Sequence, residues 1–271
     1  MFLTPYYPGI VNLQLICAKF GKRFVKWFAT AGGGSVTYRL VSAYLHTLVR
    51  RAGGLPKPEF ITSRDVQKVG QYLVGMVQDG LRPCVNASPS DAIHVCLAMQ
   101  KRGISLQHVT FLLGYEPLTR VRREMIEAAG AEAVMTYGFS EGGTVGQQCP
   151  RPTAPDDIHI ASDAFAVIQR ARHLDNEETV DALLLTAIRP ASPKVMLNAE
   201  IGDYAVLETR ECGCLFDELG YYRHLHTIRS SEKLTGSGVT FIGADVFRLL
   251  EEVLPRKFGG TLADYQLIQT H

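Results

Sequence analysis

Residues 83–138 read PCVNASPSDAIHVCLAMQKRGISLQHVTFLLGYEPLTRVRREMIEAAGAEAVMTYG, and this stretch decides the fold class. PCVNAS predicts a short strand. SPSDAIHVCLAMQKRG predicts a helix, with a proline in its first turn and Gly103 at its end. HVTFLLG is the next strand, PLTRVRREMIEAAG a helix with a proline start and a glycine stop, and AEAVMTYG a third strand. Strands alternating with helices of a dozen or so residues predict a parallel, helix-flanked sheet. Ligands of such sheets bind beyond the carboxyl ends of the strands. Two glycine-bearing loops fall at such ends: LLGYEP (112–117) and YGFSEGG (137–143).

On the N-terminal side the same alternation continues. VNLQLICAKFG and VSAYLHTLVRRAGG predict helices, FVKWFAT a strand and AGGG the loop behind it. SRDVQKVGQYLVGMVQDG is a helix with Ser63 as candidate N-cap and Gly80 after its last turn. On the C-terminal side the pattern changes after Cys149. PRPTAPDD is a loop, and FAVIQRA, VDALLLTAI and YAVLETR are strand-like, which predicts a β-rich subdomain. IRSSEKLTGSG reads as a polar hinge. VTFIGADVFRLLEEVL follows as a helix with Leu249, Leu250 and Val253 on one face, and DYQLIQTH as a final strand.

The chain has 271 residues and a formal net charge of +1. It is long enough for one large or two modest domains with a real core. The charge balance does not call for nucleic acid or an anionic membrane as partner. No apolar run reaches the roughly 18 residues of a spanning helix, and the N-terminus lacks a signal-peptide pattern, so the expectation is a cytoplasmic protein. Of the six cysteines, Cys17, Cys84 and Cys96 sit among apolar residues and read as inert core thiols. His94 reads as a core histidine, His108 as the start of a strand, and VRREMIE as a solvated helix face.

Cys149, His159, Cys212 and Cys214 form a second constellation. Three thiols and an imidazole match a tetrahedral structural zinc set, which leaves no open position for water. Cys-x-Cys is tighter than the common two to four intervening residues. His224 and His226 are rival ligands, and free surface thiols are the alternative. YGFSEGG raises a similar choice between a plain turn and a nucleotide site. A flat ring could stack, glycines would let the backbone approach, and a carboxylate could hold a metal. Taken one at a time, Tyr137, Glu141, Asp203 and Arg229 read as a packed tyrosine, a solvated carboxylate, a turn residue and a surface charge.

The order of motifs resembles the adenylate-forming (AMP-binding) superfamily, in its phenylacetate–CoA ligase-like branch. The resemblance rests on ASPSDAIHVCLAMQKRGISL, LLGYEPLTRVRREMIEAAGAEAVMTYGFSEGG, the Cys149 loop with IHI, IGDYAVLETRECGC and IRSSEKLTGSGVTFIGADVFRLLEEVLP. It runs from about Lys68 to the end. It implies an α/β fold: a helix-flanked, mostly parallel sheet, then a β-rich subdomain and the start of a small C-terminal lid. Residues 1–228 would be the large AMP-binding domain, with the β-rich part at about 150–228, and residues 229–271 would belong to the lid.

The implied activity is acid activation. A carboxylate attacks the α-phosphate of ATP, pyrophosphate leaves, and coenzyme A then displaces AMP. The resemblance implies that Gly114, Tyr115, Glu116 and Pro117 line the adenine and Tyr137 lies beside it. Glu141 would help hold Mg2+ at the phosphates, and Asp203 and Arg229 would reach the ribose. Ser231 falls at the hinge. Tyr115, Phe139 and residues 142–146 are candidate walls of the acid pocket, with an aromatic acid as one option and a homodimer as one assembly. Some members of the branch carry a zinc on a Cys and a His after the YG-x-S-E motif and a later Cys-x-Cys, which matches Cys149, His159, Cys212 and Cys214.

The sequence also departs from the family. The family's Ser/Thr/Gly phosphate loop is not found, since ATAGGGSVTYR (29–39) has the glycines but not the Thr-Gly and Lys. Only about forty residues follow Arg229, short of the lid lysine. The expectation is a chain shortened at both ends: an excised fragment, an incomplete product or a degenerate homologue. Alternative functions are a non-catalytic nucleotide-binding or scaffold homologue, and an adenylyltransferase acting on a cofactor hydroxyl.

Overall fold

The computed structural model describes residues 2–3, 17, 21–30, 44, 47, 51, 56–62, 65–139, 141–174, 179–190, 192, 194–231, 233–236 and 239–267. The chain divides into two compact units, residues 1–113 with 125–133, and residues 114–124 with 134–271.

The first unit is built on a parallel sheet. Its strands are β1 (Phe2–Leu3), β2 (Trp27–Thr30), β3 (Pro58–Ile61), β4 (Cys84–Ala87) and β5 (Thr110–Leu113), in the order β3-β2-β1-β4-β5. Helices α1 (Val66–Gln78) and α2 (Pro89–Gln100) carry the connections. Ser88 caps α2 by accepting the Asp91 N–H at 3.1 Å, and Pro89 follows in the first turn, where a missing N–H costs nothing. Val85, Phe111, Leu73, Ile93 and Met99 are fully buried, each contributing roughly 1.5–3 kcal/mol of burial. The mixed α/β class is as expected.

Several details of this unit differ from expectation. Asp65 stands at the N-cap position of α1 without a side-chain cap bond; its carboxylate instead accepts from the N–H and hydroxyl of Thr62. Ser63 lies outside the described residues. So do nearly all of VNLQLICAKFG, VSAYLHTLVRRAGG and AGGGSVTYR. Cys84 is exposed and Cys17 half-buried; of these three thiols only Cys96 is in the core, where burial pushes it up to about 12. His94 is also exposed, because it faces away from the buried stripe of α2. His108 is not yet strand; it sits in a left-handed turn (φ 69°) two residues before β5.

In the second unit residues 134–139 of β6 (Glu132–Phe139) begin an antiparallel sheet. It continues through β7 (Gly143–Gln147), β8 (Ile158–Ile160), β12 (Arg223–Ser230), β11 (Ala199–Thr209), β10 (Thr179–Ala187) and β9 (Phe165–His173). Alternation places Val145, Ile158, Ile160, Val167, Leu183, Leu185 and Leu225 in its core. YGFSEGG is therefore a hairpin and not an open loop: β6 runs through Phe139 and turns back into β7, with Tyr137 opposite Gly146 and Gly138 opposite Thr144. Gly138 is required here, since a Cβ would lie 2.5 Å from the Gly143 carbonyl oxygen.

The C-terminal segment corrects a second expectation. VTFI is not helical. It forms β14 (Val239–Ile242), antiparallel to β13 (Lys233–Gly236). Helix α4 (Gly243–Arg248) follows, then a π-helical turn (Leu249–Val253) and helix α5 (Leu254–Phe258). The π turn shifts the register, and the buried residues are Val246 and Glu251 instead of the Leu249–Leu250–Val253 stripe. DYQLIQTH forms no strand where it is described: Asp264 closes a 3-10 turn (Leu262–Asp264), residues 265–267 are irregular, and the rest lies outside the described residues.

Candidate functional site

Tyr137 is buried near the end of β6, and its hydroxyl donates to Asp203 Oδ2 at 2.8 Å. Burial, together with the Asp203 charge and this bond, pushes the phenol far above its ordinary pKa, so the ring is a neutral donor. Asp203 sits on β11 opposite Ser230, and the next residue, Tyr204, is opposite Arg229, just before a register shift. Ser231 fastens this strand end through its N–H and hydroxyl, both donated to the Gly202 carbonyl at 2.7 and 2.6 Å. The acid and the arginine expected at a ribose are thus one residue pair apart. Arg229 Nη1 donates to Asp156 Oδ2 at 2.9 Å and to its own Ile228 carbonyl at 2.7 Å.

The segment Gly114–Pro117 passes beside β6. A Cβ on Gly114 would lie 3.3 Å from Thr136 Oγ1, the residue before Tyr137. Tyr115 adopts a left-handed backbone (φ 71°) and is exposed. Glu116 accepts from Arg122 Nη1 at 2.7 Å. Arg122, on helix α3 (Arg120–Ala128), is 6% exposed and also donates through Nε to Glu251 Oε1 at 2.6 Å. Thr119 Oγ1 bonds the other oxygen of Glu251 at 2.5 Å. VRREMIE is therefore not a wholly solvated face. Glu141 is exposed on the β6–β7 turn. A cavity of about 270 Å³ opens beside Arg229, lined among others by Arg120, Phe247, Arg248, Glu251 and Glu252.

So the structure brings Tyr137 and Asp203 into contact, sets Arg229 one pair further on, and runs Gly114 past Thr136. Glu116 turns toward Arg122, and Glu141 stands on the turn. Sequence reasoning missed Asp156, Arg122 and Glu251. Each acts on a partner far along the chain, and no local pattern marks it.

The second constellation assembles. Cys149 follows β7, His159 is on β8, and Cys212 and Cys214 precede the short helix Leu215–Glu218. Ligand atoms of all four lie within 4.8 Å of one another. Cys149 Sγ is 3.7 Å from Cys212 Sγ, and His159 Nε2 is 3.5 and 3.4 Å from the sulfurs of Cys212 and Cys214. A tetrahedron with zinc–sulfur bonds of about 2.3 Å and a zinc–nitrogen bond of about 2.0 Å has edges of about 3.8 and 3.5 Å. The residues present therefore fit a zinc ion.

The surroundings fit as well. His159 Nδ1–H donates to the Tyr221 carbonyl at 2.6 Å, which fixes the tautomer that leaves Nε2 as ligand. Burial lowers the His159 pKa and favours the neutral, ligating imidazole. Backbone N–H groups of Arg151 and Phe216 donate to the sulfurs of Cys149 and Cys214 at 3.3 and 3.2 Å. Burial pushes Cys212 up to about 12. At Cys214 burial acts the same way, but the Cys212 thiol and the Asp217 and Phe216 N–H groups outweigh it and lower the pKa. Without a cation one sulfur of the set is the preferred thiolate; a divalent ion would let all three ionise.

The tight Cys-x-Cys works because Gly213 takes φ +70°, a conformation glycine adopts freely. Of the rival ligands, His226 is tied to Thr227. His224 packs on His159 with ring centroids 3.9 Å apart, and its buried Nε2 has no hydrogen-bond partner among the described residues. A second grouping of His159, Cys212, Asp217 and His224 is equally compact, but Asp217 already accepts the Cys212 and Gly213 N–H groups at 2.6 and 2.5 Å.

No family model matches the chain, and no curated protein matches it in sequence. Among solved structures it is similar to an anthranilate CoA ligase in complex with anthranoyl-AMP, with 14% identity and a TM-score of 0.46 over 73% of this chain and 39% of that one. It is also similar to the amide bond synthetase of Marinactinospora thermotolerans, with 12% identity and a TM-score of 0.44 over 91% of this chain and 49% of that one. A third is the O-succinylbenzoate coenzyme A synthetase of Bacillus subtilis in complex with ATP and magnesium ion, with 12% identity and a TM-score of 0.46 over 92% and 51%. The chain spans about half or less of the length of these proteins.

Proposed function

We propose that the chain carries the nucleotide site of an adenylate-forming enzyme of the phenylacetate–CoA ligase-like kind. The observation that supports this most is the Tyr137–Asp203 hydrogen bond with Arg229 one strand pair away. Two residues drawn from motifs far apart in sequence meet here, and a third, Arg229, lies one backbone pair from Asp203. In this reading adenine lies between the Gly114–Pro117 segment and Tyr137. Asp203 accepts from the ribose hydroxyls, as acids do in other ribose sites, and Tyr137 holds that carboxylate in place. Arg229 donates to the ribose. Mg2+ would offset the charge that gathers at the phosphates, and Glu141, exposed on a glycine turn, is the residue that would hold it.

The reaction joins an acid oxygen to the α-phosphorus as the bond to pyrophosphate breaks. A thiol such as coenzyme A then takes the acyl group and AMP leaves. Residues 1–228 would form the AMP-binding domain and 229–271 part of the lid. The set Cys149, His159, Cys212 and Cys214 would hold a structural zinc. The test is acid-dependent exchange of labelled pyrophosphate into ATP across a panel of aromatic and aliphatic acids. Exchange with at least one acid, lost in Asp203→Ala, supports the reading. AMP binding without exchange for any acid points to a non-catalytic homologue.

A further inference from the structure

Asp156 and Asp157 stand side by side in the loop before β8, and both are 1% exposed. Two adjacent buried acids must each be satisfied, and here they serve opposite ends of one strand. Asp157 accepts from His224 Nδ1 at 2.9 Å and pairs with Arg210, behind the cysteine–histidine cluster. Asp156 accepts three N–H groups at the other end of β12, each at 2.9 Å: Thr227 N–H on Oδ1, and Ile228 N–H and Arg229 Nη1–H on Oδ2. Thr227 is held at φ +55°, a conformation a threonine keeps only where its surroundings impose it.

We infer that Asp156 is the positioning residue for Arg229, fixing the guanidinium before a nucleotide arrives; the inference rests on the nucleotide reading above. Among the described residues both hydrogen bonds of the Arg229 side chain engage Nη1. This leaves Nε and Nη2 as donors toward a ligand, and Arg229 lines the open cavity. An arginine side chain has many rotamers, and one already held loses less freedom on binding. Asp156 thus acts through Arg229 and does not itself reach the nucleotide.

The experiment is titration of the full chain with AMP. Asp156→Asn keeps one acceptor but sets an N–H against Arg229, and should weaken AMP about tenfold. Arg229→Ala should weaken it at least as much, and the double variant no further than Arg229→Ala alone. Thr227→Gly removes the need to enforce the bend, so Thr227→Gly/Asp156→Asn remains folded and should show the same tenfold loss against Thr227→Gly. Equal affinity in that pair, or losses that multiply in Asp156→Asn/Arg229→Ala, would overturn the inference. If the wild type binds no AMP, the nucleotide reading fails. The positioning claim is then decided by the nitrogen-15 spectrum of the arginine side chains. Separate, slowly exchanging Nη signals of Arg229 that merge in Thr227→Gly/Asp156→Asn support it, and signals already merged in the wild type contradict it.

Discussion

Tyr137 shows how one side chain can shape a site without being its chemistry. Its hydroxyl fixes Asp203, while its ring is what the nucleotide reading uses. Tyr137→Phe should therefore cost stability, about 1–3 kcal/mol for a bond to a carboxylate, and weaken AMP by less than the roughly tenfold loss in Asp203→Ala, because the carboxylate stays but is no longer held. Urea unfolding and AMP titration of the same variant separate the two. Arg122 makes the opposite case. Its removal in Arg122→Ala leaves the buried charge of Glu251, whose side chain is 4% exposed, without its ion-pair partner and bonded to the Thr119 hydroxyl. That should destabilise the chain by about 3–5 kcal/mol, with part recovered in Arg122→Met/Glu251→Gln; urea midpoints at constant slope check it. Tyr137 and Asp203 were singled out through the resemblance, since taken alone one reads as a packed tyrosine and the other as a turn residue. Arg122 and Asp156 were not, because their partners lie 129 and 73 residues away and an arginine on a polar helix or an acid in a proline loop reads as surface.

At the scale of elements, β2, α1, β4, α2 and β5 of the first unit were legible because strand and helix periods alternate and Pro or Gly punctuates them, whereas β1 and β3, two and four residues long, were not. The β6–β7 hairpin was not, since Gly-rich YGFSEGG reads as loop until its pairing partner is known. VTFI was read as helix because the apolar spacing runs on into ADVFRLL, while pairing with β13 decides the matter. The cysteine–histidine clip of Cys149, His159, Cys212 and Cys214 was offered by spacing as one of several choices and favoured through the resemblance; what sequence could not supply was Gly213 and the carbonyl-binding Arg151, which donates to the Cys212 and Gly213 carbonyls at 3.1 and 2.7 Å. The clip joins the loop after β7 to the turn before the Leu215–Glu218 helix. We expect about one zinc per chain after exhaustive dialysis, and less than about 0.3 in Cys212→Ser. A chelator should lower the melting temperature of the wild type and leave that of Cys212→Ser unchanged. Acid acts in the same direction, because the ligands bind only when deprotonated.

Across the second unit as a whole, β12 carries His224 near one end and Arg229 near the other, with the two buried aspartates gripping both. Stripping the metal should therefore weaken AMP binding as well as stability, and the loss should be smaller in Asp156→Asn, where the grip on Arg229 is already gone. No helix among the described residues is long and apolar enough to cross a membrane. The α/β class and the β-rich half were legible because strand and helix periods change at Cys149. That Tyr137 and Asp203 approach one nucleotide was implied by the resemblance; their direct meeting in a hydrogen bond was not legible, since it depends on how β6 and β11 are placed by the three strands between them, β7, β8 and β12. That meeting is also the central claim, and calorimetric titration with AMP tests it most directly. The account predicts saturable binding of one AMP per chain, weakened at least about tenfold in Asp203→Ala. No saturable binding by the folded wild type, or equal affinity in Asp203→Ala, would contradict it.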